Sequence, residues 1–466
     1  MSDTLMISVS GIRGLVGTDL TPELVSRYAA ALGAWSRSSE SVRHRPPGGY
    51  PARPAVVLGR DSRNSGPMYA RAATAGLMSV GVDVIDLGIA PTPTVQLAVE
   101  HHRAAAGLIL TASHNPVEWN ALKFVGPDGI FLDDEAGRLV RGLADKGPPR
   151  AGWSEIGQVS EDREAVRRHI DAILGLSLID VGAIQQRRFR VALDCVRGAG
   201  AMAMVPLLER LGCRIHGINL ETDGRFPRPP EPVPENLGDL SRLVRETGAE
   251  IGLAVDPDVD RLALVDETGQ PIGEDYTLAF AVMAVLDGRI TGAKIPTVVA
   301  NLSTSLVVED AARARGARFV RAPVGEANVA RAIREEDAVI GGEGNGGVML
   351  PALHIGRDAP LGLALILHLL ATTGVTLSRL VAAAPRYTIV KAKGPLGPDL
   401  RQLYNQLRQR FPDASTDERD GLRLAWQDRW LHVRPSGTEP IVRLIAEAPT
   451  TAEAEALVAT GRELLY

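Results

Sequence analysis

The chain has 466 residues, 45% of them hydrophobic and 23% charged, which is material for several cores and for about three domains of roughly 150 residues each. A formal net charge of −5 argues against a nucleic-acid or anionic-membrane partner, so arginines that meet an anionic substrate have to be gathered in a few places. Cys195 and Cys213 are the only cysteines, neither a disulfide scaffold nor a zinc set, and both are expected to be reduced and buried. The longest apolar runs, 361–371 and 278–286, are too short to span a bilayer and no basic-then-apolar leader is apparent, so a soluble, cytoplasmic protein is expected.

In chain order, strand-like runs repeatedly stop at glycine or at a small polar residue. Run 55–58 stops at Gly59-Arg60-Asp61, 106–110 at Thr111-Ala112-Ser113, and 190–193 at Asp194 ahead of a helical stretch over 202–211. Runs 251–255, 297–300 and 338–340 stop at Asp256, Asn301 and Gly341. Strand, turn and helix in alternation predict an α/β protein, in which ligand-binding residues gather beyond the carboxyl ends of strands. The units divide at 1–152, 153–255 and 256–372, and their repetition hints at internal duplication. Over 373–466 the pattern changes to a predicted α+β domain: strand 387–392, helix 399–410, strands 421–426, 430–434 and 441–446, and a closing helix 451–465.

Four segments concentrate chemistry. Thr111-Ala112-Ser113-His114-Asn115-Pro116 follows a strand, where Ser113 is placed either to meet a ligand or to make a helix cap or Asx-type turn. Gly-x-Ser-x-Gly is absent, which disfavours a classical hydrolase serine. Asp256-Pro257-Asp258-Val259-Asp260-Arg261 sets three carboxylates at alternate positions between two strands. Without a cation they would repel one another, and magnesium suits a site of few protein oxygens plus a phosphate; a solvated acidic turn is the other reading. An EF-hand is excluded, because Arg261 stands where that loop needs glycine and strands flank the segment. Gly341-Gly342-Glu343-Gly344-Asn345-Gly346-Gly347 contains G-x-G-x-x-G, but extended-looking residues follow it instead of the helix a dinucleotide site requires. Glu343 and Asn345 would instead serve sugar hydroxyls, unless the segment is only a tight turn. Arg434-Pro435-Ser436-Gly437-Thr438-Glu439-Pro440 offers an arginine, hydroxyls and backbone N–H groups as a phosphate nest, or else a simple β-turn.

Taken together and in order, T-A-S-H-N-P, D-P-D-x-D-R, G-E-x-x-G and R-P-S-G-T-E-P resemble the four signatures of the α-D-phosphohexomutase family, with likeness from Ser10-Gly11-Ile12-Arg13-Gly14 to Arg443. The resemblance implies three related α/β domains plus a C-terminal α+β domain around a central cleft, as a monomer or homodimer. It implies that Ser113 carries a phosphoryl group and that Asp256, Asp258 and Asp260 hold Mg²⁺ together with an oxygen of that phosphate. Lys123, Arg13 and Arg261 would lie close to the reacting centre. Glu343 and Asn345 would grip the sugar, while Arg434, Ser436, Gly437 and Thr438 bind the phosphate that is not reacting. The implied reaction interconverts hexose 6-phosphate and hexose 1-phosphate through a hexose 1,6-bisphosphate that turns over in the cleft.

Two departures bear on the substrate. Many members end the sugar loop in serine, glycine and histidine, where this chain has Asn345, Gly346 and Gly347, so no acid or base function falls to that histidine. The E-G-N-G-G form and Val324-Gly325-Glu326 resemble a phosphoglucosamine-type branch, in which Glu326 would favour a 2-ammonium group. Glucosamine phosphate is therefore the expected sugar phosphate, with a broad phosphomannomutase/phosphoglucomutase as the alternative. A Mg²⁺-dependent phosphatase would have little use for the remote phosphate nest, and a sugar-phosphate sensor would need no phosphorylatable serine.

Overall fold

The structure, a computed structural model, describes residues 5–8, 11–42, 44–46, 48–49, 51, 53–287, 295–395, 399–436 and 441–465. Its strands form four sheets that follow one another along the chain. The first has the order β1-β2-β6-β5-β3-β4-β7, from β1 (Met6–Ser8), β2 (Gly11–Leu15), β3 (Ala55–Arg60), β4 (Asp83–Ile89), β5 (Ala106–Leu110), β6 (Trp119–Val125) and β7 (Val159–Glu161). The second has the order β11-β10-β8-β9, from β8 (Arg190–Asp194), β9 (Arg214–Ile218), β10 (Ile251–Val255) and β11 (Leu262–Val265). The third has the order β13-β12-β14-β15, from β12 (Thr297–Asn301), β13 (Arg318–Ala322), β14 (Ile340–Glu343) and β15 (Gly347–Met349).

One plan underlies all three. A central strand (β3, β8 or β12) lies between two parallel neighbours, and the second of these turns back into an antiparallel partner. The duplication hinted at in the sequence is therefore a repeated four-stranded unit, which β1, β2 and β7 extend in the first sheet. The turn that joins the last parallel strand to its antiparallel partner is the same turn in each repeat. It holds Ser113 in the first, Asp256–Asp260 in the second and Glu343–Asn345 in the third. Because Asp256–Arg261 is a hairpin turn and not a linker, the second sheet runs on through β11, past the division expected at 255/256.

The fourth sheet is wholly antiparallel, β16-β20-β19-β18-β17, from β16 (Thr388–Pro395), β17 (Ser415–Asp417), β18 (Leu422–Ala425), β19 (Trp430–Pro435) and β20 (Ile441–Ala448). Two helices, Leu400–Arg410 and Thr451–Glu463, accompany it. The second starts in a capping box in which Thr450 and Glu453 satisfy each other's backbone N–H groups.

The apolar run at 361–371 belongs to helix Ala359–Thr373, which is buried nearly all round and shares one continuous core with the second and third units. Each fully buried leucine there contributes about 1.5–3 kcal/mol of transfer free energy, which accounts for an apolar helix inside a globular chain. Among the described residues no single helix is long and apolar enough to cross a membrane. Both thiols are free. Cys195 is buried, whereas Cys213, expected buried, is only partly covered because it leads into β9, an edge strand.

Candidate functional site

Ser113 sits just past β5 in the left-handed backbone region, with φ 48°. For a residue with a Cβ this conformation costs about 1–2 kcal/mol, so the surroundings must hold it there. Its N–H donates to Thr111 Oγ1 (2.9 Å), whose hydroxyl in turn donates to Asp61 Oδ2 (2.7 Å). Arg63, fully buried and paired with Asp61, donates from Nη2 to the carbonyls of Ser113 (2.9 Å) and Asn115 (2.5 Å). The strand-end segment after β3 thus fastens the serine loop from beneath.

The side chain of Ser113 leaves its own unit. Its hydroxyl donates to Asp256 Oδ2 in the second hairpin (3.0 Å), bringing the serine and the aspartates into contact. Asp256, Asp258 and Asp260 are all essentially without solvent exposure, and one oxygen of each lies within 4.8 Å of one from the others. Asp256 Oδ1 accepts the N–H groups of Asp260 (3.2 Å) and Arg261 (3.3 Å), which fixes the turn. Burial, with the carboxylates of Asp260 and Asp258, pushes the Asp256 carboxyl well above the usual range. Burial acts on Asp258 in the same sense, but the charge and hydrogen bond of Lys123, with a hydrogen bond from Thr92, hold it well below that range.

Lys123 projects from β6, the strand that the sequence reading passed over, and donates from Nζ to Asp258 Oδ2 at 2.6 Å, with Asp260 Oδ2 3.8 Å away. Thr92 adds a hydroxyl to Asp258 Oδ2 (2.8 Å). Asp258 Oδ1 and Asp260 Oδ1, both buried, have no hydrogen-bond partner. Two orphaned carboxylate oxygens beside three clustered carboxylates fit a hard divalent cation. Arg13, on β2, donates to Asn115 Oδ1 (2.5 Å), and Arg261 Nη1 donates to Glu231 Oε1 (3.2 Å). His114 lies 3.4 Å from Ser113 Oγ through Nδ1; enclosure in the cleft, with Arg261 and Arg13, pushes its imidazole down to about 2, so it is uncharged near neutrality.

The third hairpin brings Glu343 and Asn345, with Asn345 Oδ1 accepting from Gly347 N–H (3.2 Å). Glu343 is buried, and its Oε1 accepts from Asn301 Nδ2 (2.9 Å) and Gly325 N–H (3.1 Å). Glu326, expected to face a sugar ammonium, is likewise buried, and its carboxylate is held by Arg357 and Gln96. In the fourth unit Arg434 follows Val433 on β19 and pairs through Nε with Asp420 (3.0 Å). Ser436 follows β19, and its N–H donates to Ile441 O at 2.8 Å. Gly437 and Thr438 lie outside the described residues.

A cavity of about 1090 Å³ opens beside the serine loop, with Arg13 and His114 of the first unit and Lys391, Lys393 and Arg443 of the fourth among the residues that line it. The same lining carries the carboxylates of Glu231, Glu235, Glu274, Asp275 and Glu447, so its basic groups stand among acidic ones.

Sequence reasoning missed Arg63, Thr92 and Arg357, and named Asp61 and Asn301 only as the residues at which strands stop. Asp61 follows β3 and Asn301 closes β12, the strand-end signal that also marked Ser113 and Asp256, but that signal names no partner for them. Arg357 carries no such signal: its partners lie 14, 31 and 97 residues away.

Four segments match, in order, the family phosphoglucomutase/phosphomannomutase: alpha/beta/alpha domain I over 5–149, domain II over 167–269, domain III over 274–387 and the C-terminal domain over 405–463. A phosphoglucomutase/phosphomannomutase of Thermococcus kodakarensis is 37% identical over 98% of this chain and 97% of its own length. A probable phosphoglucosamine mutase of Methanopyrus kandleri is 37% identical over 96% of this chain and 95% of its own. The crystal structure of a phosphoglucomutase/phosphomannomutase family protein from Burkholderia thailandensis superposes with a TM-score of 0.84 at 26% identity, covering 99% of this chain and 96% of that one. The chain belongs to the phosphoglucomutase/phosphomannomutase family of α-D-phosphohexomutases and is an intramolecular phosphotransferase, an isomerase.

Proposed function

We propose that the protein interconverts glucosamine 6-phosphate and glucosamine 1-phosphate, with Ser113 as the phosphoryl carrier. The observation that carries the mechanism is the hydrogen bond from Ser113 Oγ to Asp256 inside a buried three-carboxylate cluster. In the forward half-reaction the O–P bond of phosphoserine breaks and an O–P bond forms to the free hydroxyl of the sugar monophosphate, whose proton passes to the departing Ser113 oxygen and restores its hydroxyl. The product is a hexose 1,6-bisphosphate. This intermediate turns over in the cleft and returns its other phosphoryl group to Ser113.

Phosphoryl transfer is chiefly positioning and charge stabilisation, and the residues around Ser113 are suited to both. Lys123, ion-paired with Asp258, would stand beside the transferred group, and Arg13 and Arg261 add guanidinium donors nearby. Asp256, Asp258 and Asp260 would hold Mg²⁺, which when bound neutralises charge on the phosphoryl oxygens. Glu343 and Asn345 orient the sugar ring, and Arg434, Ser436, Gly437 and Thr438 clamp the distant phosphate. A clamp away from the reacting centre tolerates both orientations of the bisphosphate.

The amino sugar is supported by the E-G-N-G-G loop and by likeness to the Methanopyrus protein. One observation favours a second reading, a broad phosphomannomutase/phosphoglucomutase: Arg357 already neutralises Glu326, leaving it less charge to offer a 2-ammonium group. A coupled assay with four hexose phosphates, on wild type and Ser113→Ala, tests both. The first reading predicts the highest kcat/KM for glucosamine phosphate and no turnover of any substrate by Ser113→Ala. Equal use of glucose, mannose and glucosamine phosphates would establish the second, and wild-type rates in Ser113→Ala would remove the mechanism.

A further inference from the structure

Arg357 lies in the loop between β15 and helix Ala359–Thr373, outside the four signature segments. Its side chain is 9% exposed, and each of its three nitrogens is used on a different segment. Nη2 donates to Asp260 Oδ2 in the second hairpin (2.5 Å), and Nη1 to Glu343 Oε2 in the third (2.8 Å). Nε donates to Glu326 Oε2 at the start of helix Glu326–Glu335 (3.0 Å), and the backbone N–H of Arg357 reaches Glu326 Oε1 (3.3 Å). Only a planar guanidinium presents three donors in such a fork; an ammonium is a point charge with a different reach.

Three further observations concern how this side chain is placed. First, Lys123 and Arg357 treat their aspartates alike. Lys123 engages Asp258 Oδ2, Arg357 engages Asp260 Oδ2, and in both carboxylates Oδ1 is left buried without a hydrogen-bond partner. A carboxylate hydrogen-bonded on one oxygen and not on the other is oriented for a cation by its outer partner, with Arg261 Nε standing 3.8 Å from Asp260 Oδ1. Second, a Cβ on Gly347 would stand 2.3 Å from Arg357 Cδ, a mid-chain atom that the three carboxylates prevent from moving away. The bare glycine in the sugar loop and the arginine that crosses it are therefore a matched pair. Third, the loop carrying Arg357 is itself braced. Asp358 Oδ2 accepts from His169 Nε2 (2.7 Å) and His354 Nε2 (3.0 Å), and Oδ1 caps the helix at Leu361 N–H (2.9 Å). The Thr94 hydroxyl completes the cluster by bonding His169 Nδ1 at 2.9 Å. Asp358 is thus anchored from the first and second units, and Arg357 has little freedom to follow a displaced partner.

We propose that Arg357 is a positioning residue that couples the cation site to the sugar loop. By holding Oδ2 it turns Asp260 Oδ1 toward the cation, and with its other two nitrogens it fixes Glu343 and Glu326 relative to that cation. Metal affinity and sugar recognition then depend on one guanidinium. The proposal rests on the phosphoserine mutase reading for the identity of its ligands.

The test keeps the charge and disturbs only its placement. Arg357→Lys retains a cation without the fork, and Gly347→Ala retains the guanidinium but displaces it. Mn²⁺ binding is titrated by electron paramagnetic resonance on full-length wild type and both variants, and KM and kcat are measured with glucosamine 6-phosphate. The expected result is a loss of about tenfold or more in Mn²⁺ affinity in both variants, as for other outer partners of metal ligands. A rise in sugar KM should accompany it, with the far-ultraviolet circular dichroism spectrum retained. Wild-type Mn²⁺ affinity in the two folded variants overturns the proposal, and so does lowered affinity with unchanged sugar KM. If the Lys variant does not fold, Gly347→Ala, which removes no group, decides alone. A wild-type protein that binds no Mn²⁺ and turns over no hexose phosphate contradicts the mutase reading instead, so the two failures are distinct.

Discussion

Ser113 occupies a left-handed backbone conformation because Thr111, Asp61 and Arg63 hold its loop on three sides. Replacing Ser113 by Ala removes only the carrier oxygen, so turnover should fall by about 10³-fold or more while thermal stability changes little; steady-state assay and a melting curve check both. Asp61→Ala should behave differently. It leaves the guanidinium of Arg63 buried without its carboxylate, at a cost of about 3–5 kcal/mol, which a urea titration would read as a lower midpoint. The serine and the three aspartates were legible in the sequence because their chemistry is local, a strand end and an alternating acidic turn. Arg357 was not, since its significance lies in three carboxylates that only the tertiary fold brings within reach.

Among the elements, the hairpin turns are decisive. The sugar loop is pressed against the metal hairpin: Leu262 N–H donates to Gly346 O (3.0 Å), and a Cβ on Gly346, where φ is +86°, would stand 2.4 Å from Leu262 O. Gly346→Ala should therefore cost about 2 kcal/mol or more and lower activity without removing any substrate contact, seen as a lower urea midpoint together with a higher KM. The strand end at Val255 falls where the sequence predicted it, since a short β-branched and aliphatic run closed by aspartate admits little else. The run predicted as 338–340 is observed as Ile340–Glu343, displaced into the glycines because pairing with β12 and β15 overrides their weak strand preference. β2 and β6, which carry Arg13 and Lys123, were missed: β6 is buried on both faces from Asn120 to Val125 and shows no alternation, and β2 is a five-residue run with two glycines, which favour strands weakly.

At the scale of the whole molecule, three copies of one unit direct the same turn at one place, and a fourth unit closes the cleft. A histidine is among the groups that dock that fourth unit on the third, beside Glu447, Arg423 and Asp420. His432 Nε2–H donates to Asp420 O (2.6 Å), and Nδ1 bonds the Ser303 hydroxyl (2.8 Å). Burial lowers its imidazole from 6.5 to about 4, so it is neutral in the folded state where an unfolded chain would bind a proton. Its contribution to stability is complete above pH 6.5 and is lost as the pH falls toward about 4. The melting temperature of wild type should drop more over that interval than that of His432→Gln. The repeat was only hinted at in the sequence, because it resides in strand order and not in recurrent residues. The convergence of the turns was legible only through the resemblance, because no local pattern tells one loop where another lies.

The central claim is that the phosphoryl group passes through Ser113, and peptide mass spectrometry of the digested enzyme tests it most directly. After incubation with glucose 1,6-bisphosphate and Mg²⁺, the peptide containing Ser113 should carry one phosphoryl group, and adding glucosamine 6-phosphate should discharge it. A Ser113 that stays unmodified while the enzyme turns over at its full rate would contradict the account.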